Sequence, residues 1–428
     1  MKKIRKILYK AAAALSALVF ALPVSAASVD LNAVYPISTN DIQGWPAGPE
    51  ISSDTGILME AQTGTVVYDK GADELRYPAS ITKLMTLLVA VENSSLDDMV
   101  TFTETGVRDV TPDSGNIGMQ LGETMSMEDC LYAMIIYSAN EVSAQIAEYV
   151  GGTEENFIAM MNERAAEIGC TNTNFVNASG LPDENQYTTA RDMALIFREG
   201  LKNDIFRKII GTPTYYIEPT NLNSETRKLH THIPLFAEES ALYYEGCLGG
   251  KSGMTNDAGY TLVTGVRQNG VTYIAVVMRG ADMNQVSMDS RLLYDYGFQN
   301  FQKTEYRTGN VIIPSGTGTE SVTVREEEID GRNREGYYLG DYRVGIGNVE
   351  QAAASPTPTP QAEEAEDANQ APLLGQTENS DTTQEPARDG ITDLAKFLFI
   401  IMGVMVVILV ILLIALVKKN KKAKKKRK

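Results

Sequence analysis

Two long uncharged runs, one at each end, decide which part of the chain is free to build a globular core. At the amino end Lys2, Lys3, Arg5, Lys6 and Lys10 precede an apolar run from Ala11 to Leu22 and the small-residue stretch Val24-Ser-Ala26. That order reads as a secretory signal peptide, so residues 1–26 are expected to be removed on export. Near the other end, Phe397 to Val417 carries no charge over 21 residues. At 1.5 Å per residue a helix of that length covers about 31 Å, the thickness of a bilayer core. Nine Lys or Arg residues fill most of the last eleven positions, and positive charge is retained on the cytoplasmic side. The sequence therefore predicts a transmembrane helix over 394–417, a basic cytoplasmic tail over 418–428, and a single-pass cell-membrane protein whose body is extracytoplasmic.

Charge supports this division. With the basic residues of the two ends set aside, 24 basic and 55 acidic residues remain, a formal −31. Such a surface excludes nucleic acid as a partner. Residues 350–393 open on Ser355-Pro-Thr-Pro-Thr-Pro360 and continue in Glu, Asp, Gln, Asn and Thr. So few apolar residues cannot sustain a core, and this segment reads as a disordered acidic linker. Cys130, Cys170 and Cys247 are too few for a disulfide framework, and their spacing fits no zinc site. They read as small buried hydrophobes, with a Cys130–Cys170 bridge as an alternative.

What is left, 28–349, divides by pattern. After an irregular leader to about residue 50, Gly56–Glu60 and Thr65–Asp69 flank a Gly-containing turn and predict a hairpin. A very apolar helix is expected from Ser80 to about Asn93, followed by a mainly helical region over 127–203. β-Rich runs at 260–267 and 271–278, joined through Asn269-Gly270, predict a second hairpin, and a helix over about 285–296 should end before Gly297. Strands at both ends with helices between them predict an α+β domain, ending near 302, in which one antiparallel sheet combines both hairpins and is flanked by helices. Residues 303–349, with candidate strands at 311–314 and 321–324, read as a small β-rich appendage.

Three short motifs carry chemistry. Ser80 and Lys83 stand three apart at a helix start after Tyr77-Pro-Ala79, so the lysine amine can lie against the serine hydroxyl. A hydroxyl becomes nucleophilic when a neighbouring base takes its proton. The apolar residues after Lys83 favour its burial, which lowers a lysine pKa and leaves it able to act as that base. Taken alone, Ser-x-x-Lys is equally an ordinary helix start with an exposed lysine. Ser138 and Asn140 interrupt two helical stretches, either as a cap or as a polar pair aimed into a cleft. Lys251-Ser252-Gly253 is either a plain turn before a strand or a carboxylate site, in which the lysine supplies charge, the serine a hydrogen bond and the glycine close approach.

Together, in this order, the motifs are much more specific than any one of them. With Phe175-Val-Asn-Ala-Ser-Gly-Leu181, Thr189-Ala-Arg-Asp192 and Leu292-Leu-Tyr-Asp-Tyr-Gly-Phe298, they make residues 53–302 resemble the low-molecular-mass penicillin-binding proteins of the D-alanyl-D-alanine carboxypeptidase family. The resemblance implies a penicillin-binding-protein/β-lactamase-like fold with a helical subdomain. It implies that Ser80 attacks the bond between two terminal D-alanines of a peptidoglycan stem peptide, with Lys83 as base and Ser138 and Asn140 completing proton transfer and substrate positioning. Lys251, Ser252 and Gly253 would hold the terminal carboxylate. The backbone N–H groups of Ser80 and Met254 would form the oxyanion hole, and β-lactams would acylate Ser80. No metal or organic cofactor is implied, since His230, His232 and scattered acids make no ligand set. Two departures stand out: Ser252 replaces the usual threonine, and Thr231-His-Ile233 stands where the family has an Asn-x-Asn-like stretch. The rival readings are a serine β-lactamase and an inactive wall-binding scaffold.

Overall fold

The computed structural model describes residues 29–110, 114–329 and 331–348. The predicted signal peptide, acidic linker, membrane helix and basic tail lie outside the described residues, among which no helix is long and apolar enough to cross a membrane. In chain order, β1 (Thr55–Glu60) and β2 (Val66–Lys70) form a hairpin, and a 3-10 turn at Ala79–Thr82 runs directly into α1 (Lys83–Asn93). Then come β3 (Met99–Thr101), α2 (Thr105–Arg108), β4 (Thr124–Ser126), α3 (Met127–Ile136), α4 (Asn140–Gly151), α5 (Glu154–Ile168), α6 (Ala190–Gly200) and α7 (Asp204–Ile210). The chain continues through β5 (Thr214–Ile217), β6 (Arg227–His230), β7 (Cys247–Thr255), β8 (Gly259–Gln268), β9 (Val271–Gly280) and α8 (Met283–Asn300). It closes with β10 (Phe301–Tyr306), β11 (Gly309–Pro314), β12 (Val322–Ile329), β13 (Arg332–Leu339) and β14 (Tyr342–Ile346).

The fold is α+β and its main sheet is antiparallel, in the order β2-β1-β9-β8-β7. Asn269 and Gly270 both take positive φ, as the tight turn between β8 and β9 demands. Alternation along each strand sorts side chains to two faces. Ile57, Met59, Ile274, Val276 and Met278 enter the core shared with the helical region. Leu58, Ala275 and Val277 enter the core beneath α8. Both faces are covered, which is why these strands read as continuous apolar runs. Helix α1 is buried without interruption from Lys83 to Ala90, the behaviour of a helix packed on all sides.

Three expectations need correction. Helix α8 does not stop before Gly297 but continues to Asn300. A Cβ at Gly297 would lie 2.7 Å from Leu58 Cδ2 and 3.0 Å from the Tyr273 ring, so this glycine lets the helix lie close on the sheet and does not end it. The Lys251-Ser252-Gly253 triplet is not a turn before a strand but the middle of β7, the edge strand. The glycines that suggested a turn are Gly249 and Gly250, whose positive φ accompanies an irregular register with β8. The appendage begins earlier than 303, because β10 leaves α8 directly at Phe301 and joins a second sheet in the order β10-β11-β14-β13-β12. Trp45 packs tilted against Phe301 and edge-on against Tyr342, with ring centroids at 4.9 and 5.1 Å. Tyr342 also donates to the Val66 carbonyl at 2.8 Å, and Val311, Ile313 and Val344 belong to the core beneath α8. All three cysteines are free thiols; Cys130 is buried, while Cys170 and Cys247 are half-buried.

One carboxylate fastens α8 to the start of β1. Asp289 is buried and accepts hydrogen bonds from Ser52 N, Ser53 N, Ser53 Oγ and Gln285 Nε2 at 3.1, 2.8, 2.7 and 2.6 Å. Removing it orphans two backbone donors. We predict that Asp289→Ala destabilises the full-length chain by about 3 kcal/mol, read as a lower urea midpoint with an unchanged m-value.

Candidate active site

The 3-10 turn delivers Ser80 half-buried at the end of the main sheet, one turn ahead of Lys83. Lys83 Nζ lies 3.0 Å from Ser80 Oγ, 2.7 Å from Asn140 Oδ1 and 2.5 Å from the Ser179 carbonyl oxygen. The lysine is fully buried. Burial, aided by the nearby charge of Lys251, pushes its pKa well below the ordinary lysine value, and Glu141 and Asp109 oppose that shift more weakly. A neutral amine has two N–H groups and one lone pair. The Ser179 carbonyl and the Asn140 amide oxygen can only accept, so they take the two N–H groups, and the lone pair is left facing the Ser80 hydroxyl. In that neutral form the Ser80 O–H is the donor to Lys83, the arrangement that precedes proton abstraction.

Each partner of the amine comes from a different segment. Ser179 belongs to a loop that follows α5 and is pinned by Thr86 Oγ1 donating to the Ala178 carbonyl at 2.6 Å. Gln186 supports the same loop, accepting from Val176 N and Asn177 N at 2.7 and 3.0 Å. Gly180 sits at φ +85°, and a Cβ there would come 1.9 Å from the Ala79 carbonyl oxygen. Only glycine allows this close approach. From sequence this loop enters only as part of the family resemblance; Gly180 within Asn177-Ala-Ser-Gly180 marks its tight backbone contact.

Asn140 opens α4 with its oxygen on the lysine. It therefore orients the Lys83 amine through its oxygen, which leaves its NH2 end available. Ser138 precedes it at φ +64°, a region that L-residues other than Asn, Asp and Gly adopt at a cost. Its half-buried hydroxyl has no hydrogen bond to Ser80 or Lys83 among the described residues. Ser138 and Asn140 thus flank the site but are not equivalent: Asn140 is locked to the Lys83 amine, and Ser138 bonds to neither Ser80 nor Lys83 among the described residues.

The opposite wall is the edge of β7. A Cβ at Gly253 would meet Ser80 N at 2.6 Å and Ala79 Cβ at 3.0 Å, so the strand backbone passes directly beside the nucleophile. Thr261 on β8 donates to the Pro78 carbonyl at 2.9 Å and holds that turn in place. Lys251 is buried, and desolvation lowers its pKa to about 7; its Nζ donates to the Ser252 carbonyl at 2.7 Å. Ser252 is half-buried and Met254 is exposed. In place of the Asn-x-Asn-like stretch stands His232, whose ring lies 6.1 Å from that of Tyr137 across the cleft. Among the described residues no group of three or more His, Cys, Asp or Glu side chains is placed to hold a metal ion.

The approach of Gly180 to Ala79 can be tested by itself. We predict that Gly180→Ala leaves the chain folded but slows acylation of Ser80 by about a hundredfold, since a displacement near 1 Å at a reacting group has that effect. Circular dichroism and the rate of β-lactam labelling are the paired measurements; an unchanged rate would mean that the contact is not used.

Comparison with known proteins agrees with this geometry. The family model described as D-alanyl-D-alanine carboxypeptidase matches residues 43–282. The carboxypeptidase DacF of Bacillus subtilis is 31% identical over 252 residues, 58% of this chain and 62% of that protein. DacA of Haemophilus influenzae is 30% identical over 277 residues, 63% of this chain and 67% of the relative. The chain thus spans about three fifths to two thirds of the length of these curated relatives. Among solved structures, penicillin binding protein 5 from Haemophilus influenzae superposes with a TM-score of 0.59 at 26% identity, covering 71% of this chain and 98% of that one. Nucleophile turn, buried amine and edge strand all fall inside the matched span, and the chain belongs to the D-alanyl-D-alanine carboxypeptidase family.

Proposed function

We propose that the protein is a serine-type D-Ala-D-Ala carboxypeptidase that removes the terminal D-alanine from peptidoglycan stem pentapeptides and is acylated by β-lactams. The observation that carries this reading is the buried Lys83 amine, held by two acceptor-only groups with its third position on Ser80 Oγ. Lys83 takes the Ser80 proton as Oγ bonds to the carbonyl carbon between the two D-alanines. The developing oxyanion is met by backbone N–H groups of Ser80 and Met254, a kind of contact worth about 3–4 kcal/mol per donor. As the C–N bond breaks, the proton passes to the leaving amine, with Ser138 as relay. Water then releases the acyl group from Ser80. Lys251 and Ser252 hold the terminal carboxylate, and the Asn140 NH2 meets a substrate carbonyl. By the sequence signals at both ends, we place this chemistry on the extracytoplasmic side of the cell membrane, with one span as anchor.

The direct test incubates the full-length chain with a fluorescent β-lactam and with a muramyl pentapeptide. Stable label on Ser80 together with released D-alanine is expected. Label lost within seconds would favour a β-lactamase, and neither label nor D-alanine a scaffold. Lys83→Ala should fold normally and acylate at least a hundredfold more slowly, as befits a lost general base; normal labelling of that variant would refute the base.

The two lysines predict a bell-shaped pH dependence of kcat/KM. The base must be neutral, so activity rises with pH through the depressed Lys83 value. The carboxylate clamp must be charged, so activity falls as pH rises through the Lys251 value of about 7. Lys251→Arg keeps the charge and should erase the alkaline limb, at a lower maximum; a limb that stays in place would assign it to another group.

A further inference from the structure

The site contains one buried acid that the mechanism above does not use. Glu141 follows Asn140 in the first turn of α4 and is fully buried. Its Oε1 accepts from Ile117 N at 2.7 Å, whereas its Oε2 is buried without a hydrogen-bond partner among the described residues. The backbone of Gly115 accepts from Asn140 N at 2.8 Å, and a Cβ at Gly115 would meet the Ser138 carbonyl oxygen at 2.8 Å. The Gly115–Ile117 segment is therefore pressed onto the Ser138–Glu141 turn and seals the carboxyl behind Asn140. An ionised carboxyl with one unpaired oxygen in a sealed site is costly unless a nearby positive charge compensates it.

We propose that Glu141 is a positioning residue for the general base: acting across Asn140, its negative charge offsets the ammonium that Lys83 becomes when it takes the Ser80 proton. The carboxyl stays outside the proton path. One proton moves from Ser80 to Lys83 and on to the leaving amine while the acyl bond forms and the C–N bond breaks, and Glu141 only steadies the charged intermediate stage. Charge on this helix is limited to few neighbours. Lys83 on α1 acts on Glu141 and Glu141 acts on Lys83. Cys130 on α3 feels the same carboxyl. Asp109, just after α2, and Lys251 on β7 act on the amine from further sides. Helix α5 turns Phe157 and Met161 inward, and β3 turns Val100 inward. Burial raises the Glu141 pKa, and the backbone N–H groups of Ile117, Glu141 and Val142, then the charge of Lys83, oppose that shift.

The inference rests on the acyl-transfer reading, and its test separates the two. The rate constant for β-lactam acylation is measured against pH for the full-length native chain, Glu141→Gln and Glu141→Asp. Failure of the native chain to label would sink the acyl-transfer reading itself. If it labels, Glu141→Gln keeps an acceptor for Ile117 N and the same volume but loses the charge. Its acid limb should move about one pH unit lower, because the amine then loses its proton more easily. Its plateau should fall about tenfold, because the weaker base accepts the Ser80 proton less readily. A limb that does not move, whether or not the plateau drops, overturns the proposal and leaves Glu141 a packing role. Should Glu141→Gln fail to fold, Glu141→Asp decides: with the charge retained the acid limb should stay at the native position, and a limb displaced to lower pH would overturn the proposal.

Discussion

Burial of a single amine is the constraint to which the rest of this site conforms. Lys83 sits inside a helix enclosed on all sides, where an ammonium would be poorly solvated. The penalty lowers its pKa and favours the neutral amine that can accept a proton. A neutral amine still has N–H groups that need acceptors in a dry interior. Asn140 from one helix start and Ser179 from a loop after another helix supply them. Three chain segments, far apart in sequence, must converge for one nitrogen to point its lone pair at Ser80.

That convergence depends on close backbone packing more than on long side chains. Gly180 lies on the Ala79 peptide and Gly253 lies beside Ser80 N, so the nucleophile turn is gripped between a loop and a strand edge. The residues on either side carry strain: Ala79 at φ +50° and Ser138 at φ +64°. Non-glycine residues hold such angles only where their surroundings over-determine them. Here the surroundings are the Pro78–Thr261 bond, the Gly115 segment and the two-sided core of the main sheet. The edge position of β7 matters for the same reason, since an inner strand would have no free backbone to present to a ligand.

Much of this was legible in the chain, and the misreadings have identifiable causes. The hairpins at 55–70 and 259–280 and the helix after Ser80 follow from period, turn residues and apolar content. Gly297 was misread as a helix stop because a glycine chosen for close packing against Leu58 and Tyr273 has the same letter as a glycine chosen for a turn. Gly249 and Gly250 were misread in the same way, hiding the fact that Lys251 lies within a strand. Asn140 was read as a substrate contact, and the structure adds that its oxygen holds the Lys83 amine; sequence names the amide without saying which end is occupied. Ser179 acts through a carbonyl that every residue possesses, so no side-chain pattern could have pointed to it. Glu141 was overlooked because an acid in a first helical turn ordinarily reads as a favourable surface charge.

By itself, then, the sequence determined which candidate groups stand together: Ser80 with Lys83 through helical spacing, and Lys251 with Ser252 and Gly253 through adjacency. Both are local, and local geometry follows from the backbone period. The tertiary structure alone decided that these two elements meet, that the amine between them is dry, and which groups surround it. Those properties arise from contacts between segments 57, 96 and 183 residues apart, and burial of a charge has no signature in any one of them.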